Sequence, residues 1–344
     1  MLTAMADRRH RDAPVAPQGL RDAVSSRLEQ VLQKTLSANP AQRPPEGAAL
    51  ARELMLCLNP RAWDLVNELK SGWRDFARRH VLLALFPVNL PIFLLVGGFN
   101  LWYNATYYVP QLQKIDDKIK DAFWLSTVPL NTILYSLGTF LVLYSGMPIA
   151  RALGRLNRGQ AVPTDLLLAA RRRALVLGHC VAAVGLGLWV VAGLAFPLFI
   201  HFYAGSFPLH GYLHFMLSML ACGFISCCFP FLATTWLSVR VYIPALLVNS
   251  PPDAAEQQRL VALGRQSGYY LFTSPVAPLV AILLVVFSEQ DARYATVILV
   301  IVAIAGFAAA YVTWQRIRTD LEALSVVVRP ADMVGTTTDT VETF

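Results

Sequence analysis

Three histidines sit where two long apolar runs meet: His201 closes one run, and His210 and His214 open the next. His210 and His214 are one helical turn apart, and only a short loop separates them from His201. Imidazoles so placed are a donor set that zinc or copper would take, with a remaining position for water. The competing expectation is interfacial histidines that shield helix ends, since no carboxylate accompanies them. Cys222, Cys227 and Cys228 follow in the same run. Cys227 and Cys228 point from different faces of a helix and do not cap one site, so both read as small packed hydrophobes. Cys57 and Cys180 add no disulfide framework. The chain offers no nucleophile–base pair and no metal–carboxylate set. It therefore names no catalytic residue, and no cofactor is evident.

The elements that carry these residues are apolar helices. With 56% hydrophobic and 15% charged residues, the chain is more apolar than soluble domains, which hold roughly a quarter charged residues. A spanning helix needs about 20 mostly apolar residues, because hydrocarbon leaves a bare backbone unsatisfied. Six stretches meet that length without an Asp, Glu, Lys or Arg: 81–103, 124–150, 174–203, 211–239, 268–288 and 294–314. The expected fold is all-α: a polytopic membrane protein with six transmembrane helices after a short cytoplasmic helix-loop-helix. The expected divisions are 1–58 (cytoplasmic segment), 59–80 (helical stalk), 81–314 (membrane domain) and 315–344 (cytoplasmic tail, partly disordered).

Loop charge then orients the spans. Arg151, Arg155, Arg158, Arg171, Arg172 and Arg173 crowd the loop between the second and third spans against a lone Asp165. Arg74, Arg78 and Arg79 precede the first span, Arg240, Arg259 and Arg265 mark the next loop on that side, and Arg316 and Arg318 open the tail. The opposite loops are balanced, uncharged or slightly acidic. Positive charge marks the cytoplasmic side, so both termini are expected in the cytoplasm of a multi-pass inner-membrane protein. The six loop arginines are expected to lie on the membrane surface. Within them, Pro148 to Gly159 reads as an amphipathic basic helix on anionic lipid. The net charge of +7 is thus spent on a lipid surface, and nucleic acid is not an expected partner. Trp102, Tyr103, Tyr107, Tyr108 and Trp124 form an aromatic belt at the other side. There Val109, Leu112, Ile115 and Ile119 share one face of a loop expected to lie along the outer surface.

Residues 22–37 and 46–58 place apolar side chains at helical spacing, joined by the loop SANPAQRPPEG. The stretch VLQKTLSANPAQRPPEGAALARELMLCLNP resembles the last two helices of the C-terminal lobe of bacterial serine/threonine protein kinases. The resemblance rests on the loop motif Asn39, Pro40, Arg43 and Pro44. It implies that Arg43 would pair with a buried glutamate of the activation segment. No Gly-rich phosphate loop, strand lysine, catalytic-loop Asp or metal-binding Asp follows the kinase pattern anywhere in the chain. As written it is not an active kinase, and ATP with magnesium would enter only if a kinase domain preceded it. A start placed too far downstream is one expectation that fits.

The function expected from these features is the membrane sensor or anchor region of a kinase-like receptor, catalytically incomplete. Its partners would be the lipid bilayer, and a kinase domain or a second copy of the chain. The alternative is a six-span transporter or channel for a small solute. Against it stands the lack of ionisable residues inside the spans, where coupled transporters commonly carry them.

Overall fold

The computed structural model describes residues 26–67, 72–205, 207–247, 254–276, 279–280 and 293–328. Every regular element among them is helical, with no strand. The chain divides into two compact units, residues 1–68 with 322–344 and residues 69–321.

In the smaller unit, α1 (Ser26–Thr35) and α2 (Gly47–Leu58) are joined by a loop with a 3₁₀ turn at Pro40–Gln42, and α3 (Pro60–Asn67) follows. Asn39 Oδ1 accepts from the Ala41 N–H at 3.0 Å, and Pro40 has no N–H to waste at the start of the turn. Arg43 is exposed and donates from Nε to the Ser37 carbonyl at 2.8 Å. Arg27 pairs with Asp64 at 3.0 Å, and Lys34 with Glu53. Val31, Leu56, Ala62 and Leu65 are buried, whereas Leu36 and Leu58 are 60% and 85% exposed. The apolar stripes are thus only partly covered.

The larger unit begins with α4 (Gly72–Arg79) and α5 (Val81–Tyr103). A π-helical stretch, Asn104–Tyr108, continues α5 into α6 (Val109–Gln113). Then come α7 (Lys118–Asn157), α8 (Thr164–Ala204) and α9 (Leu209–Leu237). A second π stretch at Ser238–Tyr242 leads into α10 (Ile243–Leu247), followed by α11 (Ala254–Thr273) and α12 (Arg293–Val328). Each π stretch ends just before a helix turn bearing proline, Pro110 or Pro244. The ring of a proline collides with the carbonyl four residues back, and a widened turn relieves it.

Among the described residues, five helical stretches are long and apolar enough to cross a membrane: Val81–Gln113, Lys118–Asn157, Thr164–Ala204, Leu209–Leu247 and Val300–Ser325. Four of them cover the first four expected spans, and the last overlaps the sixth. The expected fifth span, 268–288, starts within α11, and about half of it, 277–278 and 281–288, lies outside the described residues. Pro148 does not begin a separate surface helix. Instead α7 runs through it for 40 residues, about 60 Å, twice the hydrocarbon thickness. Arg151 and Arg155 therefore ride on the end of a spanning helix. Gly159 turns the chain back toward α8 with φ 67°, a value that costs glycine nothing.

The outer-loop expectation also changes. Val109, Leu112 and Ile119 do not lie along a surface. They are 1% exposed and pack with Phe123, Phe196, Ile200 and Phe215 in the aromatic core of one end of the bundle. Only Ile115, 61% exposed, follows the expected pattern.

Close approach of α8 and α9 depends on glycine. A Cβ on Gly185 would stand 2.5 Å from the Ser226 carbonyl oxygen, and one on Gly178 would stand 3.1 Å from that of Phe231. Small residues let spanning helices approach where lipid supplies no hydrophobic drive.

Candidate functional site

Within the larger unit the polar side chains gather in three places: a seam between α5 and α9, a histidine cluster between α8 and α11, and ion pairs at the arginine-bearing end.

The seam starts from asparagines on α5 and at the head of the π stretch that continues it. Asn89, Asn100 and Asn104 are buried, and the eleven-residue step from 89 to 100 is three helical turns. Asn89 donates to the Leu85 carbonyl at 2.9 Å and accepts from Thr234 Oγ1 at 3.0 Å. Asn104 donates to Asn100 Oδ1 at 3.2 Å, and Asn100 Nδ2 lies 3.4 Å from Cys222 Sγ. His214 Nε2 lies 3.1 Å from Asn104 Oδ1, which makes Nε2 the donor in that bond. The Tyr108 ring lies flat on the His214 imidazole, 3.4 Å between centroids, and its hydroxyl donates to the His210 carbonyl at 3.1 Å. Each polar group thus finds a neutral partner, as a dry interior demands.

This geometry answers the metal expectation. His214 is committed to Asn104 and Tyr108, His210 is exposed, and His201 faces the Tyr212 ring at 6.2 Å between centroids. Among the described residues no group of three His, Cys, Asp or Glu is gathered to hold a metal ion. The three histidines are not brought together as a ligand set.

Sequence reasoning did not single out His179. Its Nδ1 lies 3.0 Å from the Tyr270 hydroxyl and its Nε2 3.0 Å from Gln266 Oε1. Tyr270 stacks on Phe231 at 3.6 Å, and Cys228 Sγ donates to the Tyr270 carbonyl at 2.9 Å. A lone histidine in an apolar run carries no spacing signal. Its partners lie some 90 residues away, so only the fold reveals them.

At the arginine end, Arg151, Arg155, Arg158 and Arg172 are exposed, as surface-facing residues would be. Arg173 is partly buried, with Nη1 3.3 Å from Cys180 Sγ. Arg171 departs from the surface expectation. It pairs with Glu256 at 3.4 Å, both side chains 6% exposed, and donates from Nε and Nη2 to the Leu246 carbonyl at 3.1 and 2.8 Å. A second pair, Arg240 with Asp320, measures 2.7 Å, and Asp320 is fully buried. Such pairs hold together only because the guanidinium is charged whatever its surroundings and the carboxylate is met head on.

Beside them α4 is keyed to the spans. Trp73 stacks on Trp236 at 5.2 Å and 12°, and the Arg240 guanidinium lies 5.6 Å from the Trp236 ring centre. Asn157 Nδ2 donates to the Arg78 carbonyl at 3.3 Å, and Ala77 is 3% exposed. On α4 itself Asp75 accepts from Arg78 at 2.9 Å and pairs with Arg79 at 2.8 Å. The Arg78 hydrogen bond, with help from Arg79, holds the Asp75 carboxyl below the ordinary carboxylate range.

Finally, a cavity of about 110 Å³ opens between α5, α7 and α8. No protein-family profile, curated protein or solved structure matches the chain.

Proposed function

We propose that the chain is the membrane sensor or anchor region of a signalling receptor, non-catalytic in itself, in which the state of the helical bundle sets the position of the stalk before the first span. The observation that carries this reading is the docking of α4: the Trp73–Trp236 stack and the Asn157–Arg78 bond tie it to the ends of α7 and α9. A stalk held this way feels any change in how those two helices pack.

In this reading the bundle has six spans, lies in an inner membrane and keeps both termini in the cytoplasm, with the arginines facing that compartment. The chain ahead of α4 would carry the output, through a kinase domain or a second copy of the chain. The kinase-like motif at Asn39, Pro40, Arg43 and Pro44 supports the first of these. Reading the coding frame upstream of Met1 tests it: a Gly-rich loop and catalytic-loop Asp there support it, and a stop codon beside a ribosome-binding site removes it.

The transporter or channel alternative would need a wet path, and the α5–α9 seam is closed by its own hydrogen bonds with Asn104 1% exposed. Proteoliposomes are expected to show no flux of ions or common metabolites above empty vesicles. Flux that requires the protein would replace the sensor reading. For orientation, single cysteines at Arg155 and at His210 in a cysteine-free background are expected to react from opposite sides in intact cells, His210→Cys from outside.

A further inference from the structure

The cavity between α5, α7 and α8 is lined mainly by hydrocarbon, including Leu90, Phe93, Leu134 and Leu188. Its lining residues fall around the middle of each apolar run (85–93, 131–143 and 184–192). Counting rises of 1.5 Å from the ends of the runs puts it near the bilayer midplane. Phe86, Leu90 and Thr139 on its rim are exposed, so it communicates with the lipid phase.

Two polar side chains in this lining make no hydrogen bond among the described residues. Asn89 and Trp189, also in the lining, are satisfied by Thr234 and Ser226, and Tyr135 donates to the Phe93 carbonyl at 3.3 Å. Asn131, by contrast, faces the cavity partly buried and makes no hydrogen bond among the described residues, nor does Thr139 two turns along the same face. An amide left in hydrocarbon with no partner is costly. Bulk acyl chains fill space but accept no hydrogen bond. A partner that reaches it from the lipid would carry both an apolar body and a polar group.

We infer that this cavity is a binding site for a neutral, lipid-dissolved molecule: a hydrocarbon body seated against Phe93, Leu134 and Leu188, and a hydroxyl or carbonyl bonded to the Asn131 amide. A charged head is excluded, since no Lys, Arg, Asp or Glu lines the site. This site stands independently of the stalk coupling proposed above.

The test uses the full chain in lipid nanodiscs and a long-chain alcohol bearing a mid-chain diazirine, with the matching diazirine alkane as control. Photolabelling by the alcohol is expected to concentrate on 85–93, 131–143 and 184–192 and to be displaced by unlabelled alcohol. It should exceed alkane labelling there by about three- to tenfold, the range one intramembrane hydrogen bond supplies. Asn131→Leu should bring the alcohol down to the alkane level. Thr139→Phe, which fills the rim, should abolish the enrichment, while Leu137→Phe on the adjacent lipid-facing position leaves it intact. Equal labelling by alcohol and alkane, or no effect of Asn131→Leu in a protein that still melts like wild type, overturns the anchored-ligand proposal. Labelling spread evenly over the lipid-facing helices overturns the site altogether.

Discussion

The two ends of the helical bundle solve the same problem with different chemistry. At the histidine end, Asn104, His214 and Tyr108 close the gap between α5 and α9 with neutral hydrogen bonds and a stacked ring, above a core of phenylalanines. At the arginine end, charge does the joining: Arg171–Glu256 ties α8 to α11, and Arg240–Asp320 ties the turn after α9 to α12, each with a buried carboxylate. Neutral contacts lose only their own modest worth when one partner goes. A buried charge whose partner goes is left stranded, and the loss is much larger. The arginine end should therefore behave as a rigid unit, and the histidine end as a set of independent contacts.

The largest effect expected is at the buried pair. Glu256→Leu should destabilise the bundle by about 3–5 kcal/mol by stranding Arg171. Adding Arg171→Leu should recover most of that loss, because two apolar groups replace the pair at little cost. Denaturation of the single and double variants in mild detergent checks both. A double variant as unstable as the single would mean that the Arg171–Leu246 bonds matter more than the ion pair.

Next in size is the interface both ends share. Gly185→Ala drives a methyl against the Ser226 carbonyl and should cost about 1–3 kcal/mol. Gly187→Ala, where nothing lies within 4 Å, should show only alanine's propensity gain, up to about 1 kcal/mol of stabilisation, and so isolates packing from propensity. At the histidine end His214→Ala should cost about 1–2 kcal/mol, the scale of one intramembrane hydrogen bond with an aromatic stack. Added zinc should leave the melting temperature of wild type and variant alike unchanged. A zinc-dependent rise confined to wild type would restore the metal reading.

The smallest effect concerns Asp75. Its carboxyl is lowered in the folded state by the Arg78 hydrogen bond and by Arg79. The contribution is therefore present above the unfolded carboxylate range and fades as pH falls through the lowered folded value. Asp75→Asn should remove this acid-side dependence, read as proteolytic nicking near α4 between neutral and acidic pH, with little change at neutral pH. Its partial exposure to solvent at the end of the bundle keeps the effect small.

Much of this was legible from residue order alone. Long runs without a charge leave little alternative to spanning helices, so the first four spans were set by 81–103 through 211–239. Extents were less legible: Pro148 looked like a boundary, yet α7 passes through it, because a proline near the end of a long helix costs one bond that neighbours can offset. Arg171, Arg172 and Arg173 are three identical neighbours in sequence, and only the approach of α11 decides that the first is buried and paired with Glu256. The same holds for His179 with Tyr270, for Asn89 with Thr234, and for Asn131, which makes no hydrogen bond among the described residues. Spacing reports which face a residue shares along one helix. It does not report what another helix brings opposite.

The claim that the arginine end governs the stalk is tested most directly by amide hydrogen exchange across residues 72–80 in lipid nanodiscs, in wild type, Trp236→Ala and His214→Ala. Wild type should be protected through α4, Trp236→Ala should lose that protection while the spans keep theirs, and His214→Ala should leave α4 as protected as wild type. Fast exchange of α4 in wild type, or equal protection in all three proteins, would contradict the coupling.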